Sequence, residues 1–452
     1  MTPVVLRFSK LFRLGSIPVR PTPSSYAPRH IWKLHQCQPF SSPSSSSAED
    51  PKPKLPPPPP DFDEPDFNLD SQAVLPPTFG SNQHMLIDDA VKEWLRPLLW
   101  QFRAPVRYAV AYGSGVFSQG VKTAGKKPMV DLIFGVTYTQ HWHSLNLGQH
   151  RDHYSFLGTL GSGAVSYVQD NLGAGVYFNP YVEINGTLVK YGVVNIETLC
   201  RDLSEWDTLY LAGRLQKPVK ILRDDPRVRL AYQINLLSAV RVALLLLPTH
   251  FTEHQLYSTI TGISYLGDPR MRLYAENPNK VQNIVDNQLG NFRRLYTPLI
   301  EQLPNVRFVH DSSTWSESAQ ETALVQDMDP VKRGNMVRRL PKSFREKLYF
   351  QYQRKFAIPA LEFEKMVGRT EDEERMHKRQ GGEFERRIVT GGADDIRSKV
   401  GSVIESTIGW PSASQSMKGV LTAGFGKSAK YVGEKVDKWR TAIKSTVGRK
   451  DQ

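Results

Sequence analysis

A short apolar stretch, Val106–Tyr112, stops at three small residues in a row, Gly113-Ser114-Gly115. A second apolar stretch, Met129–Val136, follows after a loop and carries one acid, Asp131. Both stretches read as buried strands. Glycines at such a bend let backbone N–H groups come close to an anion. A carboxylate on the neighbouring strand can hold a divalent cation against the same phosphate oxygens. Leu188–Val194 predicts a third strand, and the region Ser155–Asn171 is helical in character. Leu86, Val91, Trp94, Leu95 and Leu98 fall at helical spacing and predict a helix over His84–Phe102. Strands mixed with helices make residues 76–222 an α/β or α+β domain.

After Pro226 the pattern changes. Leu230–Leu247 is apolar almost all round, as a buried helix is. A membrane span needs about 20 apolar residues, whereas Arg241 interrupts this run and leaves only Val242–Leu247 unbroken. Thr252 and Gln255 have the spacing of a capping box. Val281, Ile284, Val285, Leu289, Phe292, Leu295, Tyr296 and Leu299 line one helical face. Residues 223–310 are therefore expected to form a second, mainly helical domain, and the Arg/Glu-rich residues 311–390 a charged, partly disordered region.

The net charge of +13 suggests a nucleic-acid partner until it is located. Residues 1–48 hold six Lys/Arg and no acid, and residues 411–452 hold nine Lys/Arg against three acids, so only about +1 remains for everything between. A body this close to neutral is not built to track a phosphate backbone, and no nucleic acid is expected as a partner. In residues 1–48, Val4, Phe8, Leu11 and Phe12 share a helical face among Arg7, Lys10 and Arg13, the pattern of a mitochondrial presequence. A Pro/Ser-rich, disordered linker is expected at 49–75. The basic 391–452 region, with Val420, Phe425, Val432, Val436 and Trp439 among its lysines, is expected to lie on an anionic membrane surface. Two cysteines, Cys37 and Cys200, exclude a disulfide framework.

The strand, Gly-Ser turn and acid-bearing strand resemble the core of polymerase-β-type nucleotidyltransferases. That pattern usually has two acids two residues apart on one strand face; here Ile133 occupies the second place. Asp202 and Asp207 are the candidates for a second acid. A phosphate nucleophile relaxes the requirement for a base, because its second pKa of about 6 leaves it largely ionised.

A closer resemblance rests on longer motifs. Tyr112-Gly-Ser-Gly-Val-Phe-Ser-Gln119, Trp142-His143-Ser144, His153-Tyr-Ser155, Gly173-Ala-Gly-Val-Tyr177, Lys190-Tyr-Gly192, Gly213-Arg-Leu-Gln-Lys-Pro-Val-Lys220, Gly262-Ile-Ser-Tyr-Leu-Gly-Asp268, Arg270-Met271 and Lys418-Gly419 are similar to the mitochondrial CDP-diacylglycerol synthase family. The resemblance covers residues 85–430. It implies an α+β fold: a nucleotidyltransferase (polymerase-β-like) domain, a helical winged-helix-like domain and a C-terminal amphipathic segment. It implies a peripheral position on the matrix side of the mitochondrial inner membrane. The implied reaction is CTP plus phosphatidic acid giving CDP-diacylglycerol and pyrophosphate with Mg²⁺, upstream of phosphatidylglycerol and cardiolipin.

Within that resemblance, Asp131 is expected to hold the metal, and Asp131 and Lys220 to act in catalysis. Gly113, Ser114, Gly115, Lys190, Arg214, Lys217, Lys220 and Arg270 are expected to contact nucleotide or phosphate. Arg214, Lys217 and Lys220 are three residues apart, which on a helix would place them on one face. His141, His143, His150 and His153 match no ordinary zinc spacing and are expected in hydrogen-bonding roles. Gly161-Ser-Gly163 reads as a turn or helix start, and Gly173 and Gly175 as permitting close backbone approach near the site. Two rival functions are an RNA nucleotidyltransferase, disfavoured by the neutral body, and a non-enzymatic import scaffold, which would not need bend, acid and cations together.

Overall fold

The computed structural model describes residues 76–117 apart from 77, 88 and 96, then 128–268, 279–309, 322–367 and 380–423. The expected presequence and linker, Arg270, and the basic residues from 424 onward lie outside the described residues.

A five-stranded mixed sheet organises the N-terminal half. Helix α1 (Asp89–Leu95) leads to strands β1 (Tyr108–Tyr112) and β2 (Val130–Val136), then helices α2 (Thr139–Gln149) and α3 (Gly161–Asn171). Strands β3 (Val176–Ile184) and β4 (Thr187–Asn195), helices α4 (Ile196–Glu205) and α5 (Ala212–Leu215), and strand β5 (Lys220–Arg223) follow. The strand order is β3-β4-β2-β1-β5, with β2 and β4 parallel and the other pairs antiparallel. The central strands read as unbroken apolar runs because both faces are covered. On one face, Phe134 and Tyr191 meet Trp142 of α2 at ring distances of 6.4 and 6.3 Å. On the other, a Cβ at Gly135 would touch Ile196 and Leu199 of α4.

The sheet continues into a helical layer without a break in the core. Helix α6 (Pro226–Leu246) starts on Asp225, whose carboxylate accepts from the Arg227 N–H, with Pro226 in the first turn. It is long and apolar enough to cross a membrane, yet 89% of its most apolar window is buried inside the protein. Arg241, the residue that breaks its apolar run, is itself buried. Strand β6 (His250–Thr252) and helix α7 (Glu253–Leu266) meet at the expected capping box of Thr252 and Gln255. Helix α8 (Lys280–Ile300) carries the expected apolar stripe, and its buried Arg293 pairs with Glu253, which also accepts from the Thr322 N–H at 3.1 Å. Strands β7 (Val306–Phe308) and β8 (Ala323–Gln326) complete a small sheet of order β6-β8-β7.

Two elements depart from expectation. Helix α1 stops at Leu95, and the rest of the predicted helix is a 3-10 turn, Leu98–Gln101, that begins after Pro97. Strand β3 was not anticipated: Pro180 lies within it and its pairing shifts between Asn179 and Val182, which hides the alternation. Residues 322–367, part of the stretch expected to be charged and partly disordered, lie among the described residues. They form β8 and helices α9 (Pro330–Arg338), α10 (Lys342–Lys355) and α11 (Ala360–Val367). Within this charged stretch Phe344, Leu348, Tyr349 and Tyr352 bury one face of α10, with Phe344 edge-on to Trp206 at 5.3 Å. Helices α12 (Glu383–Thr390) and α13 (Ala393–Ala423) close the described chain.

Candidate active site

Strand β1 ends in a bend that favours glycine. Gly113 has φ +81°, and its carbonyl accepts from the N–H groups of Val116 and Phe117 at 3.1 and 3.0 Å. Gly115 presses on β2, where a Cβ would fall 2.5 Å from the Met129 carbonyl oxygen. Ser114 stands exposed between them. Antiparallel register sets Tyr112 opposite Asp131, so both side chains leave the same face of the sheet. A Cβ at Gly113 would come within 3.0 Å of Asp131 Oδ2. The missing side chain is what lets the bend and the carboxylate come this close.

One cation reaches that carboxylate, and a second acts on its neighbour Tyr112. Lys190, opposite Asp131 in the β2–β4 pair, brings its Nζ to 3.8 Å from Oδ1 and lies 4.5 Å over the Phe178 ring. Arg214 of α5 stacks on Tyr210 at 3.7 Å. Both the acid and the guanidinium act on Tyr112. Burial first, then the Asp131 charge, push its hydroxyl far above the ordinary tyrosine value, while Arg214 pulls it down. Lys217 donates to Ser264 Oγ at 2.8 Å and to the Gly213 carbonyl. Burial, then the Arg214 and Lys280 charges, hold its ammonium well below the usual lysine range.

Lys220 does not join this group. Helix α5 ends at Leu215, ahead of Pro218, so Arg214, Lys217 and Lys220 share no helical face. Lys220 opens β5 opposite Ala111, one residue out of phase with Tyr112 and Asp131, and so leaves the other face of the sheet. Its Nζ donates to the Met85 carbonyl at 2.8 Å.

The two candidate second acids are committed elsewhere. Asp202 is buried, and its two oxygens accept from the N–H groups of Thr208, Leu209, Leu211 and Ala212, tying down the turn into α5. Asp207 is held by Arg201 at 2.7 Å and by Ser343 Oγ at 2.6 Å. Among the described residues, Asp131 is not part of any cluster of three or more metal-ligating side chains. A lone carboxylate beside an open bend suits Mg²⁺, which binds through one or two carboxylates together with substrate phosphates and water.

The histidine motifs are structural. His143 is fully buried between Tyr154 OH and Gln169 Oε1, each at 2.8 Å, and burial lowers its pKa to about 4, so it stays neutral. Asn146 links Tyr154 to Tyr191, whose hydroxyl contacts His153 Nδ1 at 2.9 Å. His150, Asp152 and His153 lie close together, but the two imidazoles stack at 4.4 Å with planes 3° apart. Lone pairs in parallel planes do not converge on one ion.

Gly173 and Gly175 do permit close approach, but to Gln415 of α13 and to Thr198. That contact lies at the other end of the sheet. Val176 pairs with Val194 beside Gly135, four residues or about 13 Å along β2 from Asp131.

Sequence reasoning overlooked Tyr112, Ser264 and Tyr265, although all three sat inside the matched motifs, and it overlooked Lys280, which sits in none.

The model of the family described as mitochondrial phosphatidate cytidylyltransferase matches residues 95–438, which include the bend, Asp131 and these cations. The chain belongs to this family. A Schizosaccharomyces pombe member is 37% identical over 359 residues, covering 79% of this chain and 86% of its own length. A Saccharomyces cerevisiae member is 48% identical over 239 residues, 51% of this chain and 60% of that relative. A Xenopus laevis member is 36% identical over 353 residues, 77% and 95% respectively. All three are named mitochondrial phosphatidate cytidylyltransferases.

Proposed function

We propose that this chain is a mitochondrial phosphatidate cytidylyltransferase: it transfers the cytidylyl group of CTP to phosphatidic acid, giving CDP-diacylglycerol and pyrophosphate. Family membership supports the substrate class. The observation that carries the chemistry is the close approach of the Gly113 bend to the Asp131 carboxylate. Strand, glycine bend and acid-bearing neighbour strand also support a nucleotidyltransferase-type fold for the sheet.

The N–H groups of the Gly113–Gly115 bend and the exposed Ser114 hydroxyl contact the triphosphate. Asp131 holds Mg²⁺ there, and Lys190 offsets negative charge from the neighbouring strand. Bound with the nucleotide, Mg²⁺ polarises the phosphate oxygens. Arg214, which acts on Tyr112, offsets negative charge on the transferring phosphate oxygens. The phosphatidic acid phosphate attacks the α-phosphorus, the bond to the β-phosphate oxygen breaks, and pyrophosphate departs with the electron pair. The nucleophile arrives ionised, so no second carboxylate is needed as base. Since the lipid remains in its bilayer, the enzyme works peripherally at the matrix face of the inner membrane, and the basic residues beyond α13 supply attraction to anionic lipid.

Asp131→Asn is expected to lower CTP-dependent CDP-diacylglycerol formation by at least about 1,000-fold, with an unchanged circular dichroism spectrum. Turnover close to wild type in that variant would remove the metal assignment.

A further inference from the structure

Helix α5 carries Arg214 and is only four residues long. A single turn of helix does not hold itself together, so its placement comes from outside. Asp202 of α4 supplies much of it. One carboxylate oxygen accepts from the N–H groups of Thr208 and Leu209, each at 2.9 Å, and from the Thr208 hydroxyl at 2.8 Å. The other accepts from the N–H groups of Leu211 and Ala212, at 2.8 and 3.0 Å. Ala212 is the first residue of α5. Asn235 of α6 grips the same stretch from the helical layer. Its Oδ1 accepts from the Trp206 indole N–H at 2.9 Å, and its Nδ2 donates to the Ala212 carbonyl at 3.0 Å. Asp202 and Asn235 are both buried.

The loop held in this way is strained. Trp206 has φ +59° and Leu209 φ +55°, a left-handed conformation that large apolar side chains rarely adopt. Strain of this kind persists where the surroundings over-determine it, and it points to a function of the distorted segment. What the distortion sets is Tyr210. Its N–H donates to Thr208 Oγ1 at 3.3 Å, and the same hydroxyl donates to Asp202. Its carbonyl accepts from Arg214 Nη1 at 2.5 Å, and its ring centroid lies 3.7 Å from Arg214 Cζ. One residue thus occupies an edge and a face of the guanidinium, which gives the planar fork a fixed direction. That guanidinium also acts on Tyr112, the residue ahead of Gly113, by charge and by a hydrogen bond.

We propose that Asp202, acting through Thr208 and Tyr210, is a positioning residue for Arg214: it aims the guanidinium at the nucleotide phosphates without touching the nucleotide itself. The assignment rests on the role of Arg214 proposed above and adds the residues on which that role depends. A carboxylate suits the task because it offers acceptor sites only, and five donors meet it here. An amide in its place would turn an NH₂ group towards some of those donors.

The test is a double-mutant cycle on the full chain. Asp202→Asn can fail to fold, so Thr208 carries the test: it is half-buried, and Thr208→Val keeps its outline while removing the hydroxyl between Asp202 and Tyr210. Thr208→Val is expected to weaken CTP binding in the presence of Mg²⁺, read by calorimetry, about fivefold, and to lower kcat/KM for CTP by a similar factor. Thr208→Ser restores the hydroxyl and should return both to within about twofold of wild type. Arg214→Gln alone should weaken binding about tenfold. In that background Thr208→Val should add less than about twofold, because the group it acts through is gone. A further fivefold loss there would overturn the proposal, as would wild-type CTP affinity in either single variant. Urea titrations separate the two kinds of role: a merely structural hydroxyl lowers stability equally in both backgrounds and leaves CTP affinity unchanged. A chain that binds CTP and obeys the cycle but makes no CDP-diacylglycerol would defeat the activity reading and leave the positioning role standing.

Discussion

Gly113 is where one atom decides the site. With φ at +81°, an alanine there would adopt a left-handed conformation at a cost of about 1–2 kcal/mol. Its Cβ would also press on Asp131 Oδ2. Gly113→Ala is therefore expected to lower unfolding stability by about 1–2 kcal/mol and activity by about 100-fold, measured by denaturant titration and by product formation. The activity loss should exceed what the lost stability explains, because the carboxylate itself is displaced. Asp202 and Asp207 teach the converse at the same scale. Both are acids in a matched region, but one accepts from four backbone N–H groups and the other is closed by Arg201 and Ser343. A carboxylate whose lone pairs are already taken has little left for a metal. Residue type alone does not reveal this, since Ser343 meets Asp207 from far along the chain.

Among the elements, α13 has the widest reach. Gln415 acts as a strand neighbour, accepting from the Ala174 N–H at 3.2 Å and donating to the Val176 carbonyl at 3.1 Å. One turn on, Lys418 donates to the carbonyls of Val168, Gln169 and Leu172 and so closes the C-terminal end of α3. These contacts explain why the Gly173 and Lys418 motifs, so distant in the chain, belong together. Burial lowers the Lys418 pKa to about 7. The unfolded chain then binds one more proton than the folded chain between pH 7 and an unfolded value of about 10.4, so folding stability rises with pH across that window. Lys418→Met is expected to remove this slope. Between pH 7.5 and 9 the wild type should gain on the order of 2 kcal/mol relative to the variant, read from urea titrations at each pH. Parallel curves for the two proteins would show that the ammonium stays charged through its three carbonyl contacts. Element prediction from sequence succeeded where the signal was local, as at the Thr252 capping box and the stripe of α8. It failed for β3, where a proline and a shifted register interrupt the period of two.

Across the molecule, one hydrophobic core runs from Tyr108 and Phe134 of the sheet through α6 to Phe344 and Val403. Removing either layer would expose the other's apolar face, so the two should unfold together. Scanning calorimetry is expected to show a single cooperative transition for the described body; two well-separated transitions would contradict a shared core. At this scale the division of labour between sequence and structure is clear. The chain's own order of residues determined the strand, glycine bend and acid-bearing strand, the internal helix α6 and the neutral body between two basic ends. Those are matters of local conformation, periodicity and composition. Which cations meet the acid was decided only in three dimensions. The register of β5 against β1 sends Lys220 to the far face. The end of α5 frees Lys217 from any helical face, and the packing of α8 on α7 brings Lys280 to the same ring, Tyr265, as Lys217. Register and packing depend on partners distant in sequence, and a spacing of three residues carries no record of them.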